Sequence, residues 1–199
     1  KSVNNIMIAL YAFVVISFFI TIVDIIIRFP LQSEMIDYND IQAIVINVLA
    51  LLIQIVFFAY GFVNAIRGML SPKRMGAVIV AFFAATCITG TGNMVINSNV
   101  QIVLWWIVLI IPNIVGAVAT FAYFVSGKKS KIYSIIIYLA AIWGMFRIIY
   151  SNYNLIVHAN QYLSMNSTVR LVLGIAIHCL VIYQTYVLWI KRQNAIDIS

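Results

Sequence analysis

Charged residues are scarce in this chain. They make up 9% of its 199 residues, whereas hydrophobic residues make up 64%. A soluble domain carries about 25% charged residues, so this chain has too little polar surface to cover a fold in water. The composition therefore excludes a water-soluble protein and predicts that lipid covers most of the surface.

Cysteine and histidine are also rare, with two of each. Cys87 and Cys179 lie inside apolar runs, where a disulfide is conceivable but two unreactive buried thiols are favoured. His158 and His178 lie at different depths and do not form a metal site. His178 and Cys179 point about 100° apart on a helix, which removes them as a base and nucleophile pair. We expect no metal, no cofactor and no enzymatic activity, so an intramembrane protease or lipid transferase is the weakest hypothesis.

Six segments are long and apolar enough to cross a bilayer, which takes roughly 20 helical residues. A closed barrel would show an alternating pattern that is absent here, so the spans should be helices. The sequence predicts an all-α, polytopic integral membrane protein in which residues 1–199 form a single transmembrane domain. We expect its six helices at about 5–28, 41–66, 75–96, 101–125, 132–152 and 170–190.

Basic residues are concentrated at the termini and in every second connector, which puts most of them on one side of the predicted bundle. Only Arg28 and Arg170 flank the side that carries the acidic loop with Glu34, Asp37 and Asp40. Short loops rich in Lys and Arg stay in the cytoplasm, so both termini should be cytoplasmic in a bacterial or archaeal plasma membrane. A formal charge of +7 would by itself suggest nucleic acid, but the basic residues lie directly beside the apolar runs, which favours anionic lipid as the partner. The basic residues of the cytoplasmic side are Lys1, Arg67, Lys73, Arg74, Lys128, Lys129, Lys131, Lys191 and Arg192.

Small and polar residues recur at helical spacing on most of the predicted spans. In lipid, such a face packs on protein or water while large apolar residues face the tails. Pro112 and Asn113 lie in the middle of the fourth span and predict a kink, which either lines a cavity or serves packing alone. The predicted helix-packing positions are Asn47, Gln54, Ala77, Ala81, Ala85 and Gly116.

Two polar stripes, on the first and fifth spans, widen toward the outer surface. Together with asparagines at the outer end of the third span, they predict a polar vestibule open to the outside. The alternative is that outer helix ends are simply wet. The candidate ligand-binding residues are Asp24, Arg28, Asn93, Asn97, Arg147, Ser151, Asn154, His158 and His178.

Asp24 and Arg147 are the ionisable pair that the sequence places at one level of the membrane. Asp24 lies about 28 Å along the first helix from Asn5, and Arg147 about 24 Å along the fifth from Lys131. We expect the two side chains to approach each other, since each would offset the desolvation of the other. Asp24 pairing with Arg28, one turn above it, is the alternative.

These features favour a transport protein, either a permease or a substrate-capturing membrane subunit whose outward vestibule receives a small solute. A non-transporting accessory or regulatory subunit of a larger complex is the alternative, and it predicts a filled interior. The expected partners are the lipid bilayer, a small solute, and a partner membrane subunit or further copies of the chain.

Overall fold

Helices make up all the regular structure in the part of the chain that the computed structural model describes, namely residues 2–32, 38–96, 100–128, 130–151 and 165–196. Each predicted span falls within one of these described ranges, except for residue 152 at the end of the fifth span, which lies outside them. The helices are α1 (Ser2–Gln32), α2 (Tyr38–Ile66), α3 (Pro72–Ile96), α4 (Val100–Thr120) with a π-helical turn (Phe121–Val125), α5 (Lys131–Ser151) and α6 (Met165–Ile196).

Five of these helices contain a segment long and apolar enough to cross a membrane. The described part of α4 and its π-helical turn contributes a shorter apolar stretch, Ile110–Val125. The segments are Asn5–Val23, Val45–Ile66, Pro72–Thr91, Lys131–Tyr150 and Leu171–Arg192.

The six helices form a closed ring in chain order. Each helix packs on the next one along the chain, and α6 returns to pack on α1. The π-helical turn packs on α3, and α3 also touches α6 across the middle of the ring. The turn between α4 and α5 lies at the same end as the last turn of α6, because Arg192 bonds to the carbonyls of Tyr123 and Lys128. The start of α3 lies at this end as well, since Gly76 packs against Phe124.

We call this end the basic end, since it carries Arg67, Lys73, Arg74, Lys128, Lys131, Lys191 and Arg192. The first of its turns is fixed by hydrogen bonds. Gly68 has a φ of 65°, and the Met69 N–H donates to the carbonyl of Asn64 at 2.8 Å, which is the arrangement that ends a helix at a left-handed glycine. Ser71 caps the start of α3, since its hydroxyl accepts a hydrogen bond from the Arg74 N–H at 3.3 Å.

Arg192 joins α6 to the second turn of the basic end. Its guanidinium donates to the carbonyl of Tyr123 at 2.6 Å and to that of Lys128 at 3.0 Å. It also lies 4.1 Å from the centre of the Tyr123 ring, within the range of a cation–π interaction. The carbonyls of the last helical turn have no partner within the helix, and Arg192 supplies a donor for that of Tyr123.

Large aromatic side chains fill the ring from the basic end to its middle. Each of them exposes 5% or less of its surface. Phe18 packs on Phe58 with ring centres 5.6 Å apart, and Phe82 packs on Phe83 at 5.3 Å. The centre of this half is therefore packed protein. Its buried aromatic residues are Tyr11, Phe18, Phe58, Phe82, Phe83, Tyr123 and Phe124.

Candidate functional site

Two hydrogen-bond donors on α5 are buried without acceptors, in the half of the bundle opposite the basic end. They are the indole Nε1 of Trp143 and the Nε of Arg147, and neither has a hydrogen-bond partner within the part of the chain that the structure describes. Positions four apart on a helix share a face, so the two donors lie one turn apart along α5. Buried polar atoms in a bilayer are costly when unpaired, which marks this face as a candidate binding site.

His178 on α6 lies against the same helix. It is 4% exposed, and its Nδ1–H donates to the carbonyl of Gly174 at 2.7 Å. Its other ring nitrogen faces Gly144 of α5, at the place where a side chain on that glycine would lie. Because Gly144 lacks a side chain, the imidazole can reach the α5 backbone. Arg147 lies on the same helix three residues after Gly144, which is about one helical turn.

Phe82 of α3 closes the inner side of this region. Its ring meets the His178 imidazole edge to face, with centres 5.0 Å apart and planes at 90°. His178 is thus held on three sides, by its own helix, by α5 and by the aromatic core. A ligand reaching Arg147 would approach from the end opposite the basic residues or from the lipid side, since the aromatic core lies below.

On α1, the predicted polar stripe is partly turned inward. Ser17 and Thr21 are both buried, and the Thr21 hydroxyl donates to the carbonyl of Ser17 at 2.9 Å. This bond satisfies the hydroxyl within its own helix. These two residues therefore serve packing in the structure.

Of the nine predicted ligand-binding residues, the structure describes the side chains of Arg147 and His178 and brings both to the α5–α6 region. Helices α1, α3 and α5 include Asp24, Arg28, Asn93 and Ser151, but those side chains lie outside the described part of the chain. Asn97, Asn154 and His158 lie outside it altogether. The contact between Asp24 and Arg147 stays a prediction, although α6 lies between α1 and α5 in the ring.

The predicted packing positions lie in different surroundings. Gly116 of α4 faces Ala140 and Phe83, and a side chain there would come within 2.9 Å of both. Ala81 and Ala85 are buried, Ala77 and Gln54 are half-buried, and Asn47 is exposed. Pro112 lies inside α4. Both cysteines are free thiols and half-buried.

Sequence reasoning did not single out Trp143, Tyr11 or Gln184. The side-chain amide of Gln184 donates to the hydroxyl of Tyr11, and its own oxygen is buried with no partner among the described residues. The sequence does contain a pattern that could have identified Gln184 and Trp143. Gln184 is an amide inside an apolar run, and Trp143 lies four residues before an arginine within a span.

Comparison with known proteins gives no match, whether to a family model, to a curated protein or to a solved structure.

Proposed function

We propose that this chain is a membrane transport protein with six spans and both termini in the cytoplasm. It acts as a permease or as a substrate-capturing subunit, and a polar vestibule on the outer side receives a small solute. The observation that carries the proposal is the buried Nε of Arg147, which has no hydrogen-bond partner among the described residues and lies in a helix long and apolar enough to cross a membrane. Ionisable residues at such positions most often belong to ligand or ion sites, because their desolvation is otherwise uncompensated.

The distribution of charge supports this orientation. The described turns at the basic end carry Arg67, Lys73, Arg74 and Lys128, and short loops rich in such residues stay in the cytoplasm. The unpartnered donors lie in the opposite half, which then faces outward. The aromatic core between them and the cytoplasm suits a conformation that is open outward and closed inward.

The same aromatic core favours the second candidate function, an accessory subunit that binds other membrane proteins. A subunit of that kind needs no path for a solute. Phe83 and Tyr123 are fully buried and fill the half of the bundle at the basic end, where such a path would have to run. The two functions differ in what stabilises the purified protein.

The test is thermal unfolding of the purified protein with vitamins, amino acids, inorganic ions and lipids. A ligand at 100 times its dissociation constant adds about 2.7 kcal/mol to the free energy of unfolding. Transport predicts stabilisation by a small solute, which the Arg147→Met variant should lose. Arg67→Met, at an exposed position of the basic end, is the matched control and should keep it. Stabilisation by a membrane protein alone would favour the accessory function.

A further inference from the structure

Two buried donors on α5, the Nε1 of Trp143 and the Nε of Arg147, find no acceptor in the part of the chain that the structure describes, and their chemistry restricts what can bind to them. An indole Nε1–H and a guanidinium donate hydrogen bonds and accept none. A group that satisfies both must therefore offer acceptor atoms to each of two side chains one turn apart on α5. Because Arg147 stays charged, the acceptor is best an anion such as a carboxylate or phosphate.

Beside these donors, α5 carries a continuous stack of aromatic rings that faces outward from the bundle. The ring centre of Phe146 lies 6.0 Å from that of Trp143 and 6.2 Å from that of Tyr150. Phe146 is 58% exposed and Tyr150 is 62% exposed. In a bilayer this surface lies against lipid or against another apolar molecule.

The stack and the donors lie on adjoining strips of one helix. Trp143 belongs to both, since its ring begins the stack and its Nε1 is one of the buried donors. A molecule with a charged head and an apolar body would fit this arrangement, with the head at Arg147 and Trp143 and the body along Phe146 and Tyr150. A fully polar solute would leave the aromatic strip unused.

We infer that this face of α5 binds an anionic amphiphile, a molecule in which a carboxylate or phosphate is joined to an apolar chain. The inference rests on the proposed function, because it names the class of solute that the Arg147 site receives. It also goes further, since it places the apolar part of the solute outside the ring of helices, against the lipid-facing side of α5.

Fluorescence of Trp143 reports on this site directly. In the full chain with Trp105, Trp106 and Trp189 changed to Phe, Trp143 is the sole tryptophan. A fatty acid with bromine on its chain should quench its fluorescence with a saturable dose dependence. The matching brominated fatty alcohol has the same tail and no charge, and should quench only in proportion to its concentration.

The charge and the tail are tested separately. Arg147→Met should weaken binding of the acid by about tenfold or more, because a hydrogen bond to a charged group is lost. Arg147→Lys keeps the charge without Nε and should give an intermediate loss, while Arg67→Met should leave binding unchanged. Acetate and inorganic phosphate should compete only at far higher concentration, since each buried methylene contributes about fourfold in affinity.

Equal quenching by acid and alcohol, or quenching unchanged in both Arg147 variants, would overturn the inference. Competition by acetate at the concentrations of the acid would overturn the role of the aromatic strip while leaving the proposed function intact. An anionic amphiphile can be a lipid of the bilayer or a free molecule. In nanodiscs, quenching by brominated phosphatidylglycerol tests the bilayer lipid, and quenching by the brominated fatty acid tests the free amphiphile.

Failure of the proposed function has a different signature. An alkyl phosphate does not cross a bilayer unaided, so its uptake by vesicles containing the protein measures transport. Binding that depends on Arg147 without any uptake or occlusion of the alkyl phosphate would support the inference and contradict transport.

Discussion

The imidazole of His178 lies so close to Gly144 that any side chain on the glycine would overlap its ring. The ring has little freedom to move away. Its Nδ1 is bonded to the carbonyl of Gly174, and Phe82 meets it edge to face. This contact sets how closely α5 and α6 approach beside the candidate site.

Gly144→Ala should therefore destabilise the protein. Forcing extra volume into a packed interior costs about 1 to 3 kcal/mol, and it would also push α5 and Arg147 away from His178. Thermal unfolding of the purified variant measures the loss. We also expect the variant to bind the brominated fatty acid more weakly than the parent protein.

Gly174→Ala is the matched control at the same helix interface. A side chain there would lie 2.7 Å from Cδ1 of Ile148, the terminal atom of a flexible side chain that can rotate. We expect a loss well below that of Gly144→Ala. Equal losses in the two variants would show that His178 is not held in place as described.

The hydrogen bond between Gln184 and Tyr11 joins α6 to α1 in the interior. Gln184 is 1% exposed, so removing the Tyr11 hydroxyl leaves its amide without that partner. Tyr11→Phe should lower the free energy of unfolding, and a double-mutant cycle with Gln184→Leu should give a coupling of about 0.6 kcal/mol, with about 1.7 kcal/mol as the upper end for such bonds in membranes.

Gln54→Leu provides the comparison, because Gln54 is a half-buried amide on α2. Combining it with Tyr11→Phe should give additive losses. A coupling for the Tyr11 and Gln184 pair that is no larger than this one would contradict a bond between them that stabilises the fold.

How far the sequence predicts this molecule depends on the range of the interaction. The helices follow from local composition, because each apolar run must satisfy its backbone within itself in lipid. Gly68, Ser71 and Pro72 are likewise local signals for the end of α2 and the start of α3. The ring order is not local, since lipid tails are as apolar as the helix surfaces and hydrophobicity alone selects no neighbour.

The candidate site shows the same division. Arg147 is recognisable from sequence because a charge within an apolar run is costly and rare. The role of Gly144 depends on His178, which is 34 positions away in the chain, and the bond from Gln184 to Tyr11 spans 173 positions. Such pairs depend on the arrangement of helices, so periodicity within one helix does not reveal them.

Arg192 should contribute to stability out of proportion to its place near the end of α6. It donates to the carbonyls of Tyr123 and Lys128 and lies over the Tyr123 ring. Arg192→Met removes the charge and both bonds, and we expect a loss of about 1 to 3 kcal/mol in thermal or denaturant unfolding.

Lys191→Met changes the exposed neighbouring residue and should cost little, since single surface substitutions usually change stability by less than about 0.5 kcal/mol. Arg192→Lys keeps the charge but lacks the planar group that reaches two carbonyls, so its loss should fall between the other two. A loss in Lys191→Met as large as that in Arg192→Met would point to charge at the basic end as the cause.

The proposed orientation predicts which positions a membrane-impermeant maleimide reaches in intact cells. In a background with Cys87 and Cys179 changed to Ala, single cysteines are placed at Ser126, in the basic turn before α5, and at Thr168, near the start of α6. Both native side chains are exposed. Thr168→Cys should react in intact cells, whereas Ser126→Cys should react only after the membrane is permeabilised, because loops rich in Lys and Arg stay in the cytoplasm. Labelling of both positions after permeabilisation controls for reactivity. Labelling of Ser126→Cys in intact cells would show the opposite orientation, in which the Arg147 site faces the cytoplasm.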